Sequence, residues 1–74
     1  MNAREMFESL GYKYSEECDE RYNYKVIKYY KANTEFVFSV NGREFCAGYC
    51  EEPKYITVDE FKAIQKQMKE LGWI

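Results

Sequence analysis

Asn41-Gly42 sits between two stretches in which apolar residues alternate, and few folds can accommodate that pattern. Both residues tolerate the positive φ of a type I′ turn, so the pair is the strongest short hairpin signal in the chain. A two-residue turn fixes a register: Val40 opposite Arg43, Phe38 opposite Phe45, Phe36 opposite Ala47 and Thr34 opposite Tyr49. Side chains alternate along a strand, so Phe36, Phe38, Val40, Phe45 and Ala47 share one face. Glu35, Val37, Ser39, Glu44, Cys46 and Gly48 take the other.

Upstream, Arg21 to Lys31 is rich in β-branched and aromatic residues and holds no Gly or Pro. It reads as a further strand, joined to the hairpin through Ala32-Asn33. The adjacent pairs Val26-Ile27 and Tyr29-Tyr30 break strict alternation, as a bulge or a strand apolar on both faces would. Lys13-Tyr14-Ser15 is a candidate short fourth strand at the edge. Glu16, Glu17, Asp19 and Glu20 read as a solvated loop, and Glu51-Glu52-Pro53-Lys54 ends the last strand.

At both ends the period lengthens to that of a helix. Asn2 and Glu5 form a capping-box-like pair, with Ala3, Met6, Phe7 and Leu10 on one face. Gly11 and Tyr12 then supply a helix stop. Thr57 and Glu60 repeat the box, and Val58, Phe61, Ile64, Met68 and Leu71 recur as one apolar stripe expected to face the core. Gly72 and Trp73 repeat the stop.

The expected fold is α+β: a two-layer αβββα domain spanning residues 1–74. Its three-stranded antiparallel sheet carries both helices on the phenylalanine face. A chain of 74 residues buries only about 60% of its unfolded surface, so the core is thin. Aromatics at 19% of the sequence offset this, each removing about 150–250 Å² from water when buried.

Catalytic groups are scarce. There is no histidine, which excludes His-based triads and nucleases, and the four glycines are scattered turn and cap residues rather than a phosphate loop. Cys46 and Cys50 fall on one strand face about 13 Å apart at about 3.3 Å per residue, too far to chelate one ion. Carboxylate pairs at Glu16-Glu17, Glu51-Glu52 and Asp59-Glu60 are adjacent in sequence, a poor geometry for acid–base work. No catalytic residue, metal site or cofactor is expected. A net charge of −2 lowers the prior for a nucleic-acid binder, and no apolar run reaches the length of a membrane span. Three cysteines, an odd number, and an N-terminus without an apolar leader core point to a cytoplasmic protein with no membrane partner.

One stretch stands out. Arg21, Lys25, Lys28 and Lys31 interleave with Tyr22, Tyr24, Tyr29 and Tyr30 without an intervening acid. Cations and aromatics on a strand suit single-stranded nucleic acid through stacking and phosphate pairing. They also suit a protein interface on a sheet face that the helices leave bare, because tyrosine offers large contact area at low entropic cost. The candidate binding residues are Tyr22, Tyr24, Lys25, Lys28, Tyr29 and Val37.

Two resemblances bear on these expectations. The order helix, three strands, helix resembles the double-stranded-RNA-binding domain. That family's Gly-Pro-x-His loop and the lysine cluster opening its second helix are missing here, since Pro53 is the only proline and the helix opens Thr57-Val58-Asp59-Glu60. RNA binding therefore does not carry over. The runs Ala3–Tyr12 and Ile56–Trp73, 28 of the 74 residues, resemble small uncharacterised proteins of phages and prophages in Gram-positive bacteria. Those proteins share an A-x-E-M-F-x-x-L-G-Y start and an I-T-x-x-E…K-Q-x-x-E-L-G-W finish. The resemblance implies an origin and transfers no catalytic residue. The chain is expected to be a non-enzymatic protein-binding or accessory module, acting on a protein partner or as a homodimer. The alternative is weak single-stranded nucleic-acid binding through Arg21–Lys31.

Overall fold

A computed structural model of the chain describes residues 1–32, 34–48 and 55–74. Its elements run α1 (Ala3–Ser9), β1 (Lys13–Asp19), a 3₁₀ turn (Glu20–Tyr22), β2 (Tyr24–Lys31), β3 (Thr34–Ser39), β4 (Glu44–Ala47) and α2 (Val58–Glu70). The strands pair antiparallel in the order β1-β2-β3-β4. The fold is α+β, and the sheet has four strands, the candidate edge strand at Lys13-Tyr14-Ser15 forming the start of β1. The extra strand also departs from the element order of the double-stranded-RNA-binding domain.

That edge strand runs longer than expected, continuing through most of the acidic segment expected to be a loop. Glu16, Glu17 and Asp19 all lie within β1, and only Glu20 begins the turn. The strand is tolerated because β2 offers lysines across it. Lys25 Nζ lies 3.3 Å from Glu16 and Lys28 Nζ lies 3.9 Å from Glu17. Such exposed pairs stabilise by only about 0–1 kcal/mol each. Their larger effect is to let a charged edge strand pair on one side while discouraging further strand addition on the other.

Strand β2 begins at Tyr24, three residues later than expected, because Arg21 and Tyr22 belong to the 3₁₀ turn. It pairs without interruption to both neighbours, so the adjacent apolar pairs mark a strand apolar on both faces and no bulge. The β3–β4 register is the expected one, Phe38 opposite Phe45 and Phe36 opposite Ala47. The turn is different. Arg43 has φ 54, while neither Asn41 nor Gly42 takes a positive φ, so a four-residue loop replaces the type I′ turn. Val40 keeps its bond to β2 (N to Lys25 O, 3.0 Å), and Arg43 Nη2 donates to the Trp73 carbonyl at 2.9 Å. These ties hold the loop in the longer form, and both forms preserve the same register. Tyr49, Cys50 and the Glu51–Lys54 break lie outside the described residues, as does Asn33.

Both helices pack on the phenylalanine face. Phe7 of α1 stacks on Tyr29 at 4.0 Å and meets Tyr12 edge-on at 5.7 Å. Phe36, Phe38, Ile27, Ala63 and Ile64 complete the buried cluster. Both expected capping boxes are present, Asn2 with Glu5 and Thr57 with Glu60. Each helix also ends in the same 6→1 and 5→2 bond pair, with Gly11 at φ 94 and Gly72 at φ 76 as the left-handed residues.

The burial of α2 corrects the apolar stripe. Glu60, Ala63, Ile64 and Gln67 are the buried residues, while Val58 and Phe61 are exposed. The cause is hydrogen bonding. The Tyr12 hydroxyl donates to Glu60 Oε2, and the Tyr29 hydroxyl donates to Gln67 Oε1 at 2.5 Å. A buried hydroxyl without an acceptor costs about 1–3 kcal/mol, comparable to burying one more apolar side chain, so the helix turns its acceptors inward. Replacing Tyr29 with Phe is expected to cost about 1–2 kcal/mol in urea unfolding, because the Gln67 carbonyl loses its donor. The double variant Tyr29→Phe/Gln67→Leu should recover most of that loss; equal destabilisation by both would contradict the pairing.

Candidate functional site: the outer face of the sheet

Register assigns every strand residue to a face. Residues paired with Ile27, Tyr29, Phe36 and Phe38 point toward the helices. The outer face therefore carries Tyr24, Val26, Lys28 and Tyr30 from β2, Glu35, Val37 and Ser39 from β3, and Glu44 and Cys46 from β4. Among the described elements no helix lies on it.

The six candidates separate on this frame. Tyr24, Lys28 and Val37 are on the outer face. Tyr22 is in the 3₁₀ turn at the rim, 76% exposed, with the Arg21 guanidinium 5.7 Å from its ring centroid. Lys25 is on the helix side of the sheet at the end of β2, paired with Glu16. Tyr29 is a correction: it is 1% exposed, stacked on Phe7, and belongs to the core. Tyr30, not among the six, stands on the outer face at 41% exposure. Its parity would have followed from the Ile27–Phe38 pairing, but sequence alone could not choose whether Val26 or Ile27 faced inward.

What remains is a face with a charged centre and aromatic ends. Lys28 Nζ lies 3.5 Å from Glu35 and 3.9 Å from Glu17, so one ammonium bridges two strands. Val26 beside it is 5% exposed, flanked in register by Glu17 and Ser39. Tyr24 and Tyr30 stand six residues apart, about 20 Å at 3.3 Å per residue. Val37 and Cys46 pair across β3 and β4 and continue the apolar surface.

No cluster of three or more His, Cys, Asp or Glu capable of holding a metal occurs among the described residues. Cys18 and Cys46 are exposed free thiols. They lie on opposite faces and on opposite edge strands, so they cannot share an ion or a bond. A hollow of about 230 Å³ at the end of the sheet includes Cys18, Asn23 and Lys25, where the Asn41 side-chain amide donates to the Asn23 carbonyl. No helix is long and apolar enough to cross a membrane among the described residues. No protein family, curated protein or solved structure matches this chain.

Among the described residues, the shifted ionisations of Tyr12, Tyr14, Glu16 and Tyr29 arise from contacts on the helix side. Burial raises the pKa of Tyr12, and the neighbouring Glu60 carboxylate raises it further. Burial likewise raises Tyr29, with smaller contributions from Tyr14 and Glu70. Tyr14 is raised by burial and by its bond to Glu16, whose own pKa is lowered by that bond and by Lys25. Tyr12 and Tyr29 hold their protons in the folded state after the unfolded chain releases them near pH 10. Their contribution is therefore complete below about pH 10 and falls above it, by up to about 1.4 kcal/mol per pH unit per tyrosine. Urea unfolding at pH 9, 10 and 11 should show this decline, with a shallower slope in Tyr29→Phe. A slope unchanged by the substitution would contradict the assignment.

Proposed function

We propose that this chain is a non-enzymatic interaction module that docks a protein partner, or a second copy of itself, through the outer sheet face. The observation that supports this reading is that no described helix covers this face: Tyr24, Tyr30, Val37 and Cys46 stand outward, and the described helices pack on the other side. Tyrosines at the ends of a face whose central charge is already neutralised form a surface that a protein can cover without stranding an ion.

The nucleic-acid reading draws less support from the same geometry. Lys25 and Lys28 are each engaged by carboxylates, and Tyr29 is in the core. The interleaved platform thus loses Tyr29 and the free charge of its two central lysines, leaving Tyr22 and Tyr24 at one end of the strand and Tyr30 about 20 Å away, too far for a continuous stack of bases along it. The phage-type resemblance of the chain's ends suggests a setting for an accessory module; it rests on cap and core residues rather than on this face.

The test places a photo-crosslinking amino acid at Tyr24, at Tyr30 and, as a control, at Glu8 on α1. Discrete adducts with a polypeptide at the two sheet positions, above those at Glu8, are expected. Light scattering across a concentration series then separates self-association from a different partner. A strict monomer that forms no adduct above the control would contradict the proposal.

A further inference from the structure

Turning Glu60 and Gln67 inward leaves the opposite flank of α2 facing solvent, and that flank carries more than ordinary solvated residues. Val58 is 70% exposed and Phe61, one turn on, is 56% exposed. Tyr55 and Ile56 lead into the helix at 85% and 42% exposure. Single exposed apolar residues are normal; four large ones within a seven-residue stretch mark an interaction surface. Lys62, Lys66 and Lys69 continue along the same flank, spanning about 10 Å at 1.5 Å per residue.

These lysines differ from those of β2. Lys25 and Lys28 are ion-paired, and Lys31 donates to the Leu10 carbonyl at 2.8 Å. Among the described residues, no carboxylate lies within ion-pair reach of Lys62, Lys66 or Lys69. Glu70, spaced to pair with Lys66, instead accepts the Ala3 N–H at 2.7 Å and fastens α1 to α2. The flank is thus a short apolar step followed by three unmatched positive charges.

We infer that this flank docks an acidic amphipathic helix of another protein, whose apolar residues meet Val58 and Phe61 and whose carboxylates meet Lys62, Lys66 and Lys69. Charge complementarity selects this occupant. A second copy is a poorer match, because many of its described carboxylates already have partners: Glu8 pairs with Arg4, Glu16 with Lys25, Glu17 and Glu35 with Lys28, and Asp19 with Arg21, while Glu5, Glu60 and Glu70 accept backbone or tyrosine donors. An extended polyanion or an anionic bilayer would meet the whole chain, whose net charge is −2, whereas a short helix meets only the local field. Acidic residues spaced three and four apart on the incoming helix match the lysine spacing, the helix-on-surface mode of peptide recognition. The flank belongs to α2, which packs on the helix side of the sheet, so it is separate from the outer face and its test does not depend on that face.

Panning a random 16-residue peptide display library against the purified chain tests the inference. Enriched sequences should be net acidic, with apolar residues recurring at steps of three and four. A synthesised representative should bind less tightly as salt rises. It should lose about tenfold or more in affinity toward Lys62→Glu/Lys66→Glu/Lys69→Glu. The neutral triple Lys62→Gln/Lys66→Gln/Lys69→Gln should weaken it in the same direction, and Phe61→Ser should weaken it several-fold. All of these residues are exposed, and circular dichroism confirms that the variants fold. Tyr24→Asp/Tyr30→Asp should leave the affinity unchanged. The inference is overturned by enriched peptides without acidic bias, or by binding indifferent to both lysine triples. It is equally overturned if phosphatidylglycerol vesicles or oligo(dT) retain the chain more tightly than the peptide, or if the lysine triples abolish self-association instead.

Discussion

Two tyrosine hydroxyls decide how this domain is assembled. Tyr12 and Tyr29 bring large rings into a core that a chain this short cannot otherwise fill, and each ring brings a polar atom with it. Both atoms need acceptors, and α2 supplies them from Glu60 and Gln67, seven residues apart on one side of the helix. Seven residues is two turns, so two bonds from two different segments of the chain fix a single rotation of α2 about its axis. The Phe7 ring, clamped between Tyr12 and Tyr29, ties α1 into the same arrangement.

The exposed surfaces follow from that rotation. A helix oriented by its hydrophobic residues alone would bury Phe61 and show Glu60. Orientation by hydrogen bonds does the reverse, leaving Val58, Phe61 and three lysines facing solvent. On the other side of the sheet no described helix fills the outer face of β2, and the strand supplies Val26, Lys28 and two tyrosines there. Lys28 joins β1 and β3 through Glu17 and Glu35 across its own strand. The charges that made Arg21–Lys31 look like a cationic ribbon are in this way used within the sheet.

The legible parts of the fold were those set by local chemistry. Capping boxes, glycine stops and the Phe38–Phe45 register are determined by residues close in sequence, and the structure follows them. The parts that were not legible depend on partners distant in sequence. The Glu16–Asp19 segment is a strand because lysines of β2 lie across from it, and nothing within the segment announces that. Tyr29 is inward and Tyr30 outward because Ile27 pairs with Phe38, a parity that adjacent apolar residues conceal. Arg43 rather than Gly42 takes the left-handed conformation, in a loop from which its guanidinium reaches the Trp73 carbonyl thirty residues away. The candidate site was legible to the same extent: of its six residues Tyr24, Lys28 and Val37 lie on the outer face, Tyr22 lies at the rim, and Lys25 and Tyr29 lie on the helix side.

The orientation of α2 is the claim on which the rest turns, and thiol accessibility measures it directly. In a background with Cys18, Cys46 and Cys50 replaced by serine, Phe61→Cys and Ala63→Cys place one thiol on each side of the helix. A thiol at position 61 should react with a disulfide reagent at close to the rate of the unfolded chain, and one at position 63 should be protected by about a hundredfold or more, since its reaction waits on opening of the core. Equal rates, or protection at 61 with fast reaction at 63, would contradict the account.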